Sequence, residues 1–110
     1  MDDREFGARV EDVPDEVRVR MRGDLDSRAE STLSAAYGEV RSIGPKRVTL
    51  DFGDVGYINS TGIALVVRLL ADARRDGRGV RAVGLTPHYR EIFRITRLSD
   101  FMDIEEGDAA

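Results

Sequence analysis

The chain of 110 residues contains no cysteine, which excludes disulfides, thiolate metal sites and a cysteine nucleophile. It has one histidine, His88, so a multi-histidine metal centre cannot form within one chain. Lysine is equally scarce: Lys46 stands alone among 17 basic residues, and the formal net charge is −4. That acidic balance argues against nucleic acid as a direct partner, because phosphate binding calls for a basic surface. No apolar run approaches the roughly 18 to 20 residues of a membrane span. The opening Met1-Asp2-Asp3-Arg4-Glu5 is charged with no apolar stretch behind it, which is not the pattern of a secretory leader. These absences lead to the expectation of a cytoplasmic protein without membrane insertion. There is no G-x-x-x-x-G-K-[ST] run either, so no P-loop is expected.

What is present is an ordinary globular composition, 41% hydrophobic and 35% charged, at a length that suits one core. A single domain over 1–110 is expected, with 1–5 and 106–110 as frayed ends. Phe6, Ala8 and Val10 alternate with polar residues up to Pro14, a weak strand signal. Val17, Val19 and Met21 alternate with Arg18, Arg20 and Arg22, a clear half-buried strand that Gly23 closes. Ser27 and Glu30 have capping-box spacing ahead of Ala29, Leu33, Ala36, Tyr37, Val40 and Ile43, which share one helical face. Gly44-Pro45 stops that helix. Val48, Leu50 and Phe52 give another strand, ending near Gly53. From Ser60 to Asp76 the pattern is helical again, with Ile63, Val66, Val67, Leu70 and Ala73 on one face. Val80 to Leu85 reads as a buried strand. Thr86-Pro87 opens a short helix as N-cap and N1, anchored by Ile92, Phe93 and Ile95. Phe101 to Ile104 can add a last strand. The order implies an α/β fold: a mixed, mostly parallel sheet of about five strands with helices packed on it.

In such sheets, function gathers where strand carboxyl ends lead into helix N-termini. The informative loop is Asp51-Phe52-Gly53-Asp54-Val55-Gly56-Tyr57-Ile58-Asn59-Ser60-Thr61-Gly62-Ile63. Ser60 falls where free backbone N–H groups and the positive end of the helix dipole converge. A phosphate there is held without a lysine, and it adds about −1.5 to −2 charges to that edge. On local chemistry alone the simpler reading is that Ser60 is only an ordinary N-cap, with Asn59 or Thr61 as a helper. Gly62 on the same terms only lets the helix start approach the sheet.

Three segments together resemble the STAS family of bacterial anti-sigma factor antagonists. They are the Gly23-Asp24-Leu25-Asp26 turn, the run Asp51 to Ile63, and Thr86-Pro87 with Ile92-Phe93 and Leu98. The resemblance covers roughly residues 6 to 105. It implies a partner that is both serine kinase and anti-sigma factor, of the histidine-kinase-like ATPase fold, and a serine phosphatase that resets the switch. Carried over by position, Ser60 is the phosphoacceptor and Thr61 a secondary candidate. The resemblance places Asp24, Asp26, Asn59, Ser60, Thr61 and Gly62 at the partner interface. The chain departs from the phosphorylated members at Asn59, where they have aspartate; asparagine keeps the shape but lacks one negative charge. Glutamate is usual where Asp24 stands.

Two other classes are weighed against this. One is a non-phosphorylated STAS accessory subunit of a phospholipid ABC transporter or of a stress-sensing scaffold, which the run Gly62 to Val67 also fits. The other is a small α/β enzyme, for which there is no nucleophile–base pair and no cofactor fingerprint. No cofactor, metal or catalytic residue is expected. Asp51 and Asp54 resemble paired carboxylates, yet loop support by Asp51 is the simpler reading. The apolar breadth of the Ser60–Asp76 helix leaves both monomer and dimer open.

Overall fold

The computed structural model describes residues 4–44 and 46–105. Strand β1 (Gly7–Val13) turns back antiparallel onto β2 (Glu16–Leu25), pairing Val10 with Val19. A short 3₁₀ turn (Ser27–Ala29) leads into α1 (Glu30–Ser42), then β3 (Arg47–Ile58), α2 (Ser60–Arg75), β4 (Val80–Val83) and α3 (Pro87–Ile95). A second 3₁₀ turn (Leu98–Asp100) precedes β5 (Asp103–Ile104). The strands lie in chain order, β1-β2-β3-β4-β5, and every pair after the first is parallel. This is the expected mixed α/β sheet. Among the described residues no helix is long and apolar enough to cross a membrane.

Parallel neighbours in chain order need a helical crossover each time, and crossovers of one hand put the helices on one face. The strand alternation suits that arrangement. Val17, Val19, Met21, Val48, Leu50, Phe52, Val80 and Ala82 are buried with Leu33, Ala36, Val40, Val66, Leu69, Ala73 and Phe93 of the helices. Phe93 is fully buried and meets Phe52 edge-on, with ring centroids 5.6 Å apart.

The arginines that alternate along β2 do more than meet solvent. Arg20 donates to Glu11 Oε1 at 2.9 Å and to Asp51 Oδ2 at 3.2 Å, crossing three strands. Arg18 donates to Glu16 Oε2 at 3.0 Å, and the fully buried Thr49 hydroxyl donates to Glu16 Oε1 at 2.7 Å. Burial pushes the Glu16 carboxyl up, but the hydrogen bonds from Thr49 and Arg18 outweigh it and hold the group below its ordinary value.

The sequence reading needs four corrections. β2 does not stop at Gly23, nor β3 at Gly53: both run on together, Asp24 beside Tyr57 and Leu25 beside Ile58, after two irregularities in register. The irregular register breaks the period of two, which is why alternation alone ends the strands early. Ser27 does not cap α1; Asp26 caps the 3₁₀ turn instead, accepting from Arg28 N at 3.0 Å. Val67 and Ile95 are exposed (47% and 64%), although their helical spacing groups them with core residues. The last core strand ends at Val83, with buried Leu85 beyond it. Of the ends expected to fray, 1–3 and 106–110 fall outside the described residues. Pro45, read as part of the helix stop, does too.

Tyr37 of α1 is buried and donates to Asp76 Oδ2 at 2.7 Å, tying α1 to the C-cap of α2. Burial, then the Asp76 hydrogen bond, pushes the Tyr37 phenol up to about 12. The native state therefore holds this proton more tightly than the unfolded chain, whose tyrosines titrate near pH 10. The stability linked to it is whole below about pH 10 and is lost as pH rises toward 12. An ultraviolet titration of the folded protein should show one phenol ionising near 12, and that step should vanish in Tyr37→Phe.

Candidate functional site: the N-terminus of α2

Three chain segments meet where β2 and β3 end. Asn59 N donates to Leu25 O at 3.3 Å, which fixes the end of β3 to the end of β2. Ile58 N donates to Tyr89 Oη at 3.0 Å, so α3 braces the same bend. Thr86 holds α3 in place as its N-cap, accepting from Tyr89 N at 3.2 Å. Pro87 follows at N1 with its missing N–H and preset φ, as the sequence leads one to expect.

Asn59 has extended backbone and is the N-cap of α2: its Oδ1 accepts from Gly62 N at 2.9 Å. That settles which polar residue does the capping. Ser60 is the first helical residue and Thr61 the second; both are exposed. Among the described residues the Ser60 hydroxyl makes no hydrogen bond, so it is not consumed by the helix. The first-turn N–H groups have no carbonyl of their own helix to bind, and the positive end of the dipole lies beneath them.

Gly62 is buried, and a Cβ on it would lie 2.0 Å from Leu25 O. Only glycine lets α2 start this close to the end of β2. Asn59→Ala should cost about 1 kcal/mol by loss of the cap, whereas Asn59→Asp should keep it. Thermal melts of the two variants measure this.

The acidic turn at the end of β2 divides into two roles. Asp24 is buried and ion-paired with Arg4 (3.1 Å) and Arg28 (3.6 Å). Asp26 lies nearer the surface and takes both the backbone N–H and the guanidinium of Arg28, at 3.0 and 2.9 Å. The Arg28 side-chain hydrogen bond, then its backbone N–H, holds the Asp26 carboxyl below its ordinary value. The 3₁₀ turn that carries Arg28 packs against α2, which brings this turn and the Ser60 edge to one end of the sheet. The structure thus gathers Asp26, Asn59, Ser60 and Thr61 at one surface. Asp24 and Gly62 lie behind them. Asp51 braces β3 itself and not a loop, accepting from Gly53 N at 2.9 Å, because the strand runs on to Ile58. His88 is exposed on α3, and among the described residues no cluster could hold a metal ion.

Sequence reasoning missed Tyr89, which carries the brace on Ile58 N. Its place three residues after the Thr86 cap was legible, but nothing along the chain pairs it with β3.

The fold and the site together define a mixed, mostly parallel sheet covered by helices, with a polar helix start at its carboxyl edge. The family model described as "Mlab, STAS domain" matches residues 8–104, and the chain belongs to the STAS-domain family. It is 27% identical over 89 residues to the anti-sigma-B factor antagonist of Staphylococcus aureus, covering 81% of this chain and 82% of that protein. The crystal structure of an anti-sigma factor antagonist from Mycobacterium paratuberculosis superposes with a TM-score of 0.78 at 20% identity, over 93% of this chain and 86% of the other. The phosphorylated Bacillus cell fate determinant SpoIIAA superposes with a TM-score of 0.68 at 20% identity, over 90% and 91%. At these identities the two structures speak for the fold.

Proposed function

We propose that this chain is an anti-sigma factor antagonist, a cytoplasmic binding module with no activity of its own, switched by phosphorylation of Ser60. The observation that carries the reading is the division of labour at α2. Asn59 does the capping, which leaves the Ser60 hydroxyl exposed at the first turn with nothing to hold. A serine that capped the helix would cost stability when modified; this one costs little.

The partner in this reading is an anti-sigma factor with serine kinase activity, of the histidine-kinase-like ATPase fold. It docks on the surface formed by Asp26, Asn59, Ser60 and Thr61, which Asp24 and Gly62 support from behind. A phosphate on Ser60 sits well against the helix dipole. It also places about two negative charges in the middle of that surface and expels the partner. A serine phosphatase then restores binding. Thr61, exposed one residue on, is the secondary acceptor.

The test is capture from the native host's lysate on immobilised Ser60→Ala and Ser60→Asp proteins, with bound proteins identified by mass spectrometry. The expected result is a kinase-fold partner on the alanine protein and none on the aspartate protein. Equal capture by both of one transporter ATPase or one scaffold protein would overturn the phosphoswitch. It would favour the accessory subunit of a phospholipid transporter or stress-sensing scaffold instead.

A further inference from the structure

The other end of α2 carries a feature that the Ser60 edge does not use. A groove of about 830 Å³ opens between the C-terminal half of α2, the start of β4 and the chain from Thr96 to Asp103. Its apolar lining includes Val67, Leu70, Leu98, Phe101 and Met102. Leu70, Leu98 and Met102 belong to the core, while Val67 and Phe101 remain 47% and 58% exposed at its mouth. The volume falls in the range of small-molecule sites, about 300 to 1,000 Å³. Arg74 lies some 14 residues along α2 from Ser60, about 21 Å at the rise of an α-helix, so the two places are distinct.

The charges around this groove are unbalanced. Four arginines line it, Arg47, Arg74, Arg78 and Arg97, against Asp100 and Asp103. Arg97 is taken by Asp100 at 2.7 Å. Arg78 spends its terminal nitrogens on four backbone carbonyls, and among the described residues its buried Nε–H finds no acceptor. Arg47 reaches Glu16 only at 3.8 Å. Arg74 has no carboxylate within salt-bridge distance among the described residues; its guanidinium rests 5.9 Å from the Phe101 ring centroid. An apolar trough is therefore edged by one arginine, Arg74, that has no carboxylate partner among the described residues, in a chain whose overall charge is −4. A purely apolar occupant would leave Arg74 unused, and a cationic one would be repelled by it. The described chain does not fill the groove: β5 starts at its edge with Asp103 and runs parallel to β4, away from the end of β4 that lines it.

We infer that this groove binds an amphipathic carboxylate, an unbranched acyl chain lying along Val67, Leu98 and Phe101 with its carboxylate on Arg74. The inference stands apart from the Ser60 reading and does not depend on it.

The test is titration of the full chain with dodecanoate below its micelle concentration, followed by calorimetry and by amide shifts in nuclear magnetic resonance. The expected result is saturable one-to-one binding, with shifts gathered on α2 after Val67 and on 96–103. Dodecanol should bind at least about tenfold more weakly, the discrimination of one charge-assisted contact. Arg74→Glu and Phe101→Asp, both at exposed positions, should each weaken dodecanoate about tenfold or more with the fold intact by circular dichroism. Ser60→Asp should bind dodecanoate as the unaltered chain does. No saturable binding, shifts spread over the surface, or equal affinity for dodecanol and dodecanoate would each overturn the inference. So would an unchanged affinity in Arg74→Glu.

Discussion

Gly62→Ala should lower the stability of the domain by about 3 kcal/mol, a loss of roughly 10 to 20 °C in Tm for a chain of this size. The added methyl would lie 2.0 Å from Leu25 O and 2.8 Å from Leu25 C, so both obstacles are backbone. No rotamer relieves such a clash; α2 has to move off the end of β2. That movement also stretches the Asn59 N to Leu25 O hydrogen bond, already at 3.3 Å, and shifts the turn that presents Ser60. Partner binding should fall along with Tm. A variant that melted like the unaltered protein would show that the approach of α2 to β2 is looser than described.

Arg78→Ala should cost a comparable amount, about 3 kcal/mol, for a different reason. The Arg78 guanidinium donates to Val40 O and Ile43 O at the end of α1, and to Gly44 O and Lys46 O in the link to β3. These distances run from 2.7 to 3.1 Å. Hydrogen bonds from a charged donor are each worth about 1.5 to 3 kcal/mol net, and water would recover part of the total at this half-buried site. Arg78→Lys should recover less than half, because one ammonium cannot reach four carbonyls in two directions. Denaturant unfolding reads this as a lower midpoint at unchanged slope. A loss under about 1 kcal/mol for Arg78→Ala would mean that the α1–β3 link is held by something else.

Arg78 also shows where sequence reading stops. Nothing in Asp76-Gly77-Arg78-Gly79 separates this arginine from its exposed neighbours Arg74 and Arg75; its role comes from long-range geometry. The elements themselves were legible because they rest on period. Val17-Val19-Met21 and Val48-Leu50-Phe52 alternate as strands, and Thr86-Pro87 marks a helix start by local chemistry that needs no tertiary partner. Strand ends were not, since β2 and β3 extend each other past Gly23 and Gly53 through paired irregularities that neither sequence shows alone. The candidate site was legible as a place, the polar start of α2, but not in its division of labour. Asn and Ser are near-equal caps, and only the extended backbone of Asn59 decides that it takes Gly62 N and leaves Ser60 free. Helical spacing likewise put Val67 in the core stripe; the groove at the end of α2 leaves it at a surface instead.

The most direct test of the account is the affinity of the captured partner for the purified chain before and after stoichiometric phosphorylation, with the modified residue mapped by mass spectrometry. The account predicts a phosphate on Ser60 and a loss of affinity of about 100-fold or more, some 2.8 kcal/mol at 1.4 kcal/mol per tenfold. Equal affinity of the two forms, or a phosphate that maps away from Ser60 and Thr61, would contradict it.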